Sequence, residues 1–296
     1  MTFTATFKFI VNHPLNRDGR RHAVERFLKW QIGSRFFPGP IIFDWVAGAK
    51  IIVRPGEVGV TQNLYCGLQD FSEMAYLFHV LTPEDLFVDV GANVGAYTVL
   101  ACAAKGARGY CIEPVPATFA RLRDNLLIND LSSRVTPMNV GVADKEGELR
   151  FTSDSGTVNH VATDADQSAP TVRVPVRTLD QLLINESPSC LKIDVEGFET
   201  AVLNGAERIL SNTALHSIVI ELNGAGARYG FDESAIVGKL NKHGFSSYAY
   251  DPLSRELHPL TGKNQMGDNT LFVRGKDEIR ERLRQAPRLR IGSTSL

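Results

Sequence analysis

The chain of 296 residues carries a formal net charge of −1, with 43% hydrophobic and 22% charged residues. This length and composition exclude a disordered or fibrous protein and allow a large buried core. The near-neutral charge gives no reason to expect a nucleic-acid partner. The N-terminus shows no signal-peptide pattern and no apolar run approaches the length of a membrane span, so we expect cytoplasmic residence without stable membrane insertion.

Residues 1–82 are predicted to form an N-terminal α/β appendage. A helix over Asp18–Trp30 carries apolar residues on one side and basic residues elsewhere. Short strands are predicted at Ile41–Phe43 and Lys50–Val53, and a Gly/Thr/Asn-rich connection then leads into a helix around Ser72–Leu81. We interpret the basic helix as a docking face, with association with a membrane surface as the alternative.

Residues 83–275 are predicted to be the principal domain, because strand and helix patterns alternate along them. This alternation is typical of an α/β fold with an open, mostly parallel sheet and helices on both faces. The segment between the last two strands has no helical period, so we expect a terminal antiparallel hairpin. An extra hairpin is predicted from Glu148–Thr152 and Val172–Val176, and residues 276–296 form a short charged tail. The predicted strands are Leu86–Val90, Tyr110–Ile112, Val135–Val140, Cys190–Ile193, Ser217–Ile220, Ser246–Tyr250 and Thr270–Val273, and the helices are Tyr97–Ala104, Thr118–Asn129, Phe198–Leu210 and Glu233–His243.

The stretch FVDVGANVG joins the first of these strands to a tight turn. Asp89 stands near the end of the strand, and Gly91, Asn93 and Gly95 follow it. Glycines at this point let the backbone come close to a ligand. The G-x-G-x-x-G pattern of nicotinamide sites serves a pyrophosphate, and two of its three glycines are missing here, with Asn93 and Ala96 in their places. Asp89 suits instead a cationic ligand without a phosphate, such as S-adenosylmethionine.

Glu113 follows the second strand of this domain, 22 residues after Gly91. An acid at this spacing accepts hydrogen bonds from the ribose hydroxyls of a bound nucleoside. Together with the acid before the turn, the pattern D-x-G-x-N-x-G resembles motif I of the class I S-adenosylmethionine-dependent methyltransferases, with Asn93 where many members have glycine. The resemblance implies the Rossmann-like sheet of that class.

Polar residues also follow the later strands, and ligands of an open parallel sheet bind at the carboxyl ends of its strands. Asn139 follows the third strand, Asp194 and Glu196 follow the fourth, and Glu221 follows the fifth. We predict Asn139 and Asp194 as cofactor contacts, and Asp194, Glu196 and Glu221 as candidate general bases. Asp194 and Glu196 are two residues apart on a segment that we expect to be extended, so both side chains should point the same way.

Lys192 and His160 each leave two interpretations open. Lys192 lies inside a predicted buried strand, where it either forms an ion pair with Asp194 or Glu196 or takes part in catalysis. His160 lies in a polar segment and is either solvated or a base on a loop that closes over the site. No histidine has metal-ligand spacing, so we predict no metal site, with a divalent ion held by Asp194 and Glu221 as the alternative.

The four cysteines show no C-x-x-C pairing, and three of them fall in apolar strand-like or helix-like runs. Zinc sites and redox motifs usually require such pairs. We therefore predict buried free thiols in Cys66, Cys102, Cys111 and Cys190.

Five motifs in a fixed order resemble those of the FkbM family of methyltransferases. They are FVDVGANVGAYT, EPVPATFARLRDN, NVGVADKEGELRF, VRTLDQL and LKIDVEGFETAVLNGA. The similarity covers about Gly59 to Asn223, and LKIDVEGFE is its most distinctive block. It implies methyl transfer from S-adenosylmethionine to oxygen, usually a hydroxyl of a sugar, glycan or polyketide-like metabolite. One departure is Val140-Gly141-Val142, where an Ala-Leu pair is more usual.

We therefore predict an S-adenosylmethionine-dependent O-methyltransferase with a small-molecule or glycan acceptor, and its state as a monomer or homo-oligomer stays open. One alternative is an NAD-dependent oxidoreductase on a Rossmann fold, against which Asn93 and Ala96 argue. The other is a non-catalytic scaffold subunit that keeps the nucleoside site, against which the intact motif I and KIDVEG block argue.

Overall fold

A computed structural model describes residues 3–154, 156–292 and 294–296 of the chain. Ser155, in the predicted polar segment, lies outside the described residues. The helices are α1 (Phe3–Asn12), α2 (Arg20–Phe36), α3 (Val58–Cys66), α4 (Phe71–Val80), α5 (Ala96–Val99), α6 (Pro116–Leu127), α7 (Leu179–Leu182), α8 (Glu199–Asn204), α9 (Glu207–Ser211), α10 (Glu233–Lys242) and α11 (Lys276–Gln285). The strands are β1 (Ile41–Asp44), β2 (Lys50–Val53), β3 (Leu86–Val90), β4 (Arg108–Ile112), β5 (Val135–Met138), β6 (Gly141–Val142), β7 (Gly147–Thr152), β8 (Thr171–Arg177), β9 (Cys190–Ile193), β10 (Ser217–Glu221), β11 (Ser246–Asp251), β12 (Glu256–Pro259), β13 (Asn269–Val273), β14 (Arg290–Ile291) and β15 (Thr294–Ser295).

The central sheet confirms the predicted α/β fold. Over the described residues it has eight strands in the order β12-β11-β13-β10-β9-β3-β4-β5. The five strands from β10 to β5 run parallel, and β13, β11 and β12 pair antiparallel beside them. The chain proceeds outward from β3 to β5 on one side and from β9 to β10 on the other. The crevice between β3 and β9 is therefore the switch point at which such sheets bind ligands.

The strand β3 is buried on both faces, because successive side chains of a strand point to opposite sides. Phe87 packs in one hydrophobic cluster with Met74 and Leu77 of α4, and Val88 and Val90 pack in the other. Helices thus cover both faces of the sheet, and the end of β3 is held in place from both sides. All four cysteine thiols are buried, as predicted.

The N-terminal segment is more helical than the sequence suggested. The helix α2 runs to Phe36 and not to Trp30, and the connection predicted to be irregular contains α3. The ring of Phe27 on α2 meets Tyr65 on α3 with centroids 5.2 Å apart. On the other side, the Ile52 amide of β2 donates to Asn125 Oδ1 on α6 at 2.8 Å, so the segment packs against the central domain. The boundary at residue 82 stays a prediction.

Two further elements differ from the prediction, and a third is confirmed with one added strand. The segment between the last two strands contains β12, which pairs with β11. The predicted helix Phe198–Leu210 is divided into α8 and α9 near Gly205, where a Cβ would lie 2.3 Å from the Ala143 carbonyl oxygen. The predicted extra hairpin is present as β7 and β8, and β6 joins it in a small sheet. No helix within the described ranges is long and apolar enough to cross a membrane.

Candidate active site

A cavity of about 290 Å³ lies at the carboxyl ends of β3, β4 and β9. Six of the residues predicted for the site line it, and they come from three different strand ends. Four other predicted residues lie outside its wall, namely Gly95, Asn139, His160 and Glu221. The six in the wall are Asp89, Gly91, Asn93, Glu113, Asp194 and Glu196.

The glycine turn forms one wall of this cavity, and its backbone conformation explains the residue types. Gly91 has φ +79°, and a Cβ there would lie 1.7 Å from the carbonyl oxygen of Asp194. Asn93 has φ +50°, and its side-chain Oδ1 accepts from the Val94 amide at 2.8 Å. Gly95 has φ +87° but faces Leu122 of α6 and not the cavity. Gly95 therefore permits the turn without lining the cavity.

Glu113 joins the end of β4 to the glycine turn. Its Oε2 accepts from the Asn93 amide at 3.0 Å, and its Oε1 accepts from the Val115 amide at 2.9 Å. Burial raises the pKa of this carboxyl to about 7, although both amides oppose that shift. Each carboxylate oxygen keeps a further lone pair that can accept from a ligand hydroxyl. Glu113 is thus both a support of the turn and a hydrogen-bond acceptor in the cavity wall.

Asp89 and Asn139 support the same region from opposite sides. Asp89 accepts from the Thr98 hydroxyl at 2.6 Å, which ties the end of β3 to α5. Burial raises the pKa of Asp89 to about 6. Asn139 lies outside the cavity wall and donates to the carbonyl oxygens of Glu113 and Pro114 at 2.8 and 2.9 Å. Asn139 therefore positions the backbone behind the acid.

Lys192 forms the ion pair that was one of its two interpretations. Its side chain is 1% exposed, and Nζ donates to Asp194 Oδ2 and to Asn269 Oδ1, each at 3.0 Å. The ammonium also lies 5.3 Å from the centre of the Tyr97 ring. Burial alone would lower the pKa of Lys192, but the negative charges of Asp194 and Glu221 have the larger effect in the opposite direction. The pKa is therefore raised, and the side chain stays charged.

Three carboxylates converge at the edge of the cavity. Oxygen atoms of Asp194, Glu196 and Glu221 lie within 4.8 Å of one another, close enough to hold a metal ion. Burial, followed by the charge of Asp194, raises the pKa of Glu196 to about 7 and that of Glu221 to about 9. The neighbouring Lys192 ammonium already supplies one positive charge to this group.

The route by which these carboxylates meet is not the predicted one. Glu196 has φ +54°, so the segment after β9 turns sharply and is not extended. The expectation of two side chains on one face of an extended segment is therefore wrong in its geometry. Glu221 lies outside the cavity wall, and its Oε2 is buried without a hydrogen-bond partner among the described atoms.

His160 lies outside the cavity wall. Its Nε2 is 3.3 Å from Asp166 Oδ1, and its Nδ1 is 2.9 Å from the Val158 carbonyl oxygen. The residues on either side of it, Asn159 and Val161, line the cavity instead. The ring is thus held by its own loop, away from the carboxylates predicted to act with it.

Asp70 and Tyr97 are cavity residues that the sequence interpretation did not identify. The Tyr97 hydroxyl donates to Asp70 Oδ2 at 2.8 Å, and burial raises the pKa of Asp70. Gln62 and Gln69 of the same N-terminal segment also line the cavity. The sequence TQNLYCGLQD contains a pattern that could have indicated these cavity residues, because polar side chains interrupt an apolar stretch there.

The FkbM methyltransferase domain matches residues 89–247, which is more than half of the chain and contains most of the site just described. The chain belongs to the FkbM family of methyltransferases. This confirms the resemblance of its ordered motifs. It does not support the oxidoreductase alternative.

Two curated relatives and one solved structure illustrate the similarity. The 31-O-demethyl-FK506 methyltransferase FkbM of Streptomyces tacrolimicus is 27% identical over 250 residues, 71% of this chain and 93% of that protein. The hexuronic acid methyltransferase AglP of Haloferax volcanii is 27% identical over 146 residues, 47% of this chain and 56% of that protein, so the match spans about half of AglP. An rRNA methylase from Streptococcus thermophilus aligns at a TM-score of 0.37 with 15% identity, covering 68% of this chain and 91% of that one.

Proposed function

We propose that the protein is an S-adenosylmethionine-dependent O-methyltransferase that acts on a hydroxyl of a sugar, glycan or small metabolite. The observation that carries the proposal is the meeting of the glycine turn, Glu113 and Asp194 around one cavity at the switch point of the sheet. The family membership gives the reaction class, and the charge of the cavity wall supports this cofactor.

The residues of the wall fit a cationic ligand that has no phosphate. Among the described wall residues there are five carboxylates and one ammonium, that of Lys192, which already binds Asp194 and Asn269. A pyrophosphate would be repelled by this excess of negative charge, whereas a sulfonium would be attracted. The apolar remainder of the wall suits an adenine ring. It includes Val90, Ile112, Val140 and Val142.

We assign cofactor contacts to the side chains that line the cavity and supporting roles to those behind it. Glu113 would accept from the ribose hydroxyls, while Asp89 and Asp194 would face the cationic portion. Asn93 and Gly91 would contribute the backbone of the turn. The predicted cofactor residues Gly95 and Asn139 lie behind the wall, so they would act by holding the turn and the end of β4 in place.

S-adenosylmethionine, when bound, supplies a methyl group already activated on a sulfonium. The protein must then hold an acceptor hydroxyl in line and exclude water. Glu196 is our candidate base, because it lines the cavity and its pKa of about 7 is close to neutral pH. Asp194, fixed by Lys192, would orient the acceptor hydroxyl. Glu221, with a pKa of about 9, would be protonated at neutral pH and so would not compete with Glu196 for the acceptor proton.

The acceptor would enter beside the small sheet, which supplies apolar groups to the cavity. Phe151, Val161 and Phe198 line it, and the Tyr229 hydroxyl donates to the Val161 carbonyl at 2.7 Å and so ties the small sheet to the central domain. Sugars present apolar faces that pack on such side chains. Because the polar wall is acidic, we expect a neutral hydroxyl acceptor to be preferred over a carboxylate.

The proposal is tested by transfer of a labelled methyl group to a panel of neutral glycosides and hexuronic acid glycosides. A methyl ether on a hydroxyl resists alkali, whereas a methyl ester on a carboxyl group is released by it. We expect alkali-stable label, lost in Glu196→Gln. Alkali-labile label would refute hydroxyl transfer. Binding of S-adenosylhomocysteine with no transfer to any of the acceptors would favour the scaffold alternative.

A further inference from the structure

The connection between α2 and β1 forms an exposed apolar projection. Residues 36–42, with the sequence FFPGPII, are exposed throughout and contain no charged side chain. Phe36 and Phe37 are 75% and 78% exposed, and Ile42 is 61% exposed. Side chains of this size are seldom left in water as a contiguous group without a partner. We call residues 36–42 the apolar tip.

The apolar tip continues along the outer face of α2. Leu28 and Ile32 are 46% and 56% exposed, and with Phe36 they are spaced four residues apart. Residues four apart lie on one side of a helix, so the three form a stripe about 12 Å long. The opposite side of α2 faces the protein core through Ala23 and Phe27. The stripe is therefore an outward extension of the apolar tip.

Basic side chains border this stripe, and we call them the basic collar. They are Arg20, Arg21, Lys29 and Arg35, all exposed. Residues 3–44 contain seven Lys or Arg and three Asp or Glu, a net charge of +4, while the whole chain carries −1. The rest of the chain therefore carries −5. The segment that carries this exposed apolar group is therefore positive, whereas the remainder of the chain is negative overall.

We propose that the apolar tip and basic collar bind the surface of an anionic lipid bilayer. Aromatic and aliphatic side chains that project outward can enter the headgroup region, and bordering Lys and Arg pair with lipid phosphates. A symmetric contact with a second copy would bring two surfaces of net charge +4 together, which like-charge repulsion opposes. A helix that spans the bilayer is not required.

The proposed membrane face lies one helix away from the cavity. The ring of Phe27 joins α2 to Tyr65 on α3, and Gly59, Val60 and Gln62 on α3 line the cavity. Binding through the outer side of α2 would leave the cavity open. The inference rests on the surface alone, so it holds or fails independently of the proposed methyl transfer.

The test is flotation of the full chain with vesicles of phosphatidylcholine alone and of phosphatidylcholine mixed with phosphatidylglycerol. We expect binding only to the mixed vesicles, and weaker binding as salt is added. Phe36→Ser/Phe37→Ser and Arg20→Glu/Arg21→Glu should each reduce partitioning by about tenfold or more. The two Glu replacements lie in the first turn of α2, where acidic side chains favour a helix, so the fold should be kept.

Matched controls alter exposed residues of the same types elsewhere. Leu253→Ser/Met266→Ser removes apolar side chains that are 59% and 94% exposed, and Arg173→Glu/Arg177→Glu reverses two exposed charges. Both should float like the unaltered protein. Equal binding to both vesicle types, or unchanged binding by both tip and collar variants, would overturn the proposal. So would light scattering that shows a dimer which Phe36→Ser/Phe37→Ser converts to a monomer, since the face would then be an interface between copies.

Discussion

Gly91 and Asp194 meet where β3 and β9 end, and a Cβ on Gly91 would lie 1.7 Å from the Asp194 carbonyl oxygen. The two strands are locked at this point, because the Asp194 amide donates to the Val90 carbonyl oxygen at 2.9 Å. The glycine turn of the cavity wall and the segment that carries the candidate base Glu196 are therefore in direct contact. Any side chain at Gly91 must separate them.

Gly91→Ala is expected to damage both stability and cofactor binding. The substitution combines a left-handed backbone with a backbone clash, so we expect a loss of about 3 kcal/mol in the free energy of unfolding. Chemical denaturation and calorimetric titration with S-adenosylhomocysteine would measure the two effects.

Gly238→Ala is the matched control for that substitution. Gly238 lies inside α10, and a Cβ there would meet nothing within 4 Å. We expect this variant to be more stable by roughly 0.5–1 kcal/mol, with unchanged binding. Equal behaviour of the two alanine variants would show that the contact between β3 and β9 is not the constraint.

Asp194→Asn is expected to lower stability, in addition to the loss of turnover that its proposed role in the cavity implies. Lys192 is buried, and the substitution removes its nearest carboxylate while Asn269 remains. We expect a loss of about 2–4 kcal/mol in the free energy of unfolding, because a buried charge is left less well paired. Thermal and chemical denaturation would measure it.

A double-mutant cycle with Lys192→Met measures the interaction energy between Lys192 and Asp194 separately from their interactions with other residues. The double variant Asp194→Asn/Lys192→Met should recover part of the loss, since the unpaired ammonium is removed together with its carboxylate. Strictly additive losses would mean that the two side chains do not stabilise each other.

Glu196→Gln is expected to lower turnover without lowering stability. An amide cannot take the acceptor proton, so turnover should fall by about 10²–10⁴-fold while S-adenosylhomocysteine binds as before. His160→Ala is the comparison, because that ring is held by Asp166 and Val158 outside the cavity. It should retain turnover. If His160→Ala were the slower variant, the base would have to be sought on the small sheet.

The pH dependence of stability follows from the buried acids. Burial raises the pKa of Glu113 and Glu196 from 4.5 to about 7 and that of Asp89 from 3.8 to about 6. The folded protein then binds more protons than the unfolded chain, so its stability should fall as pH rises from about 4 to about 7. Denaturant titrations across that range would measure the fall, and a rise in the same range would contradict these shifts.

The same acids make cofactor binding depend on pH. The positive charge of a sulfonium favours the ionised forms of these acids. Binding of S-adenosylmethionine should therefore release protons from the protein, and its affinity should increase as the pH rises from about 6 to about 8. S-adenosylhomocysteine lacks the sulfonium charge and should show a smaller change. Calorimetry in two buffers with different heats of ionisation would count the protons. Equal proton release by both ligands would mean that the acids do not sense the sulfonium.

The sequence predicted those residues of the candidate site that lie at the ends of parallel strands. The glycine turn, Glu113 and Asp194 follow β3, β4 and β9, and such ends meet at one edge of a sheet. It did not predict the meeting of Asp70 with Tyr97, which arises from packing of the N-terminal segment on the central domain. The polar residues of TQNLYCGLQD mark the segment, but no local pattern specifies that Asp70 contacts Tyr97.

At two other places the structure differs from what the local sequence favours. The stretch that forms α3 is rich in residues with low helix propensity, but its Val60, Leu64 and Tyr65 are buried against neighbouring elements, and this burial stabilises the helix. Glu196 adopts a left-handed backbone conformation, which is uncommon for residues other than glycine, so its residue type did not predict the turn. The sequence therefore identified the carboxylates of the candidate site, but not the turn that brings them together.

The most direct test of the central claim is calorimetric titration of the unaltered protein with S-adenosylhomocysteine and, in parallel, with NAD. Ligands that bind the folded state raise its melting temperature, so both readouts can be compared on one sample. We predict one site for S-adenosylhomocysteine, a raised melting temperature, and no heat or shift with NAD. Binding of NAD without binding of S-adenosylhomocysteine would contradict the account.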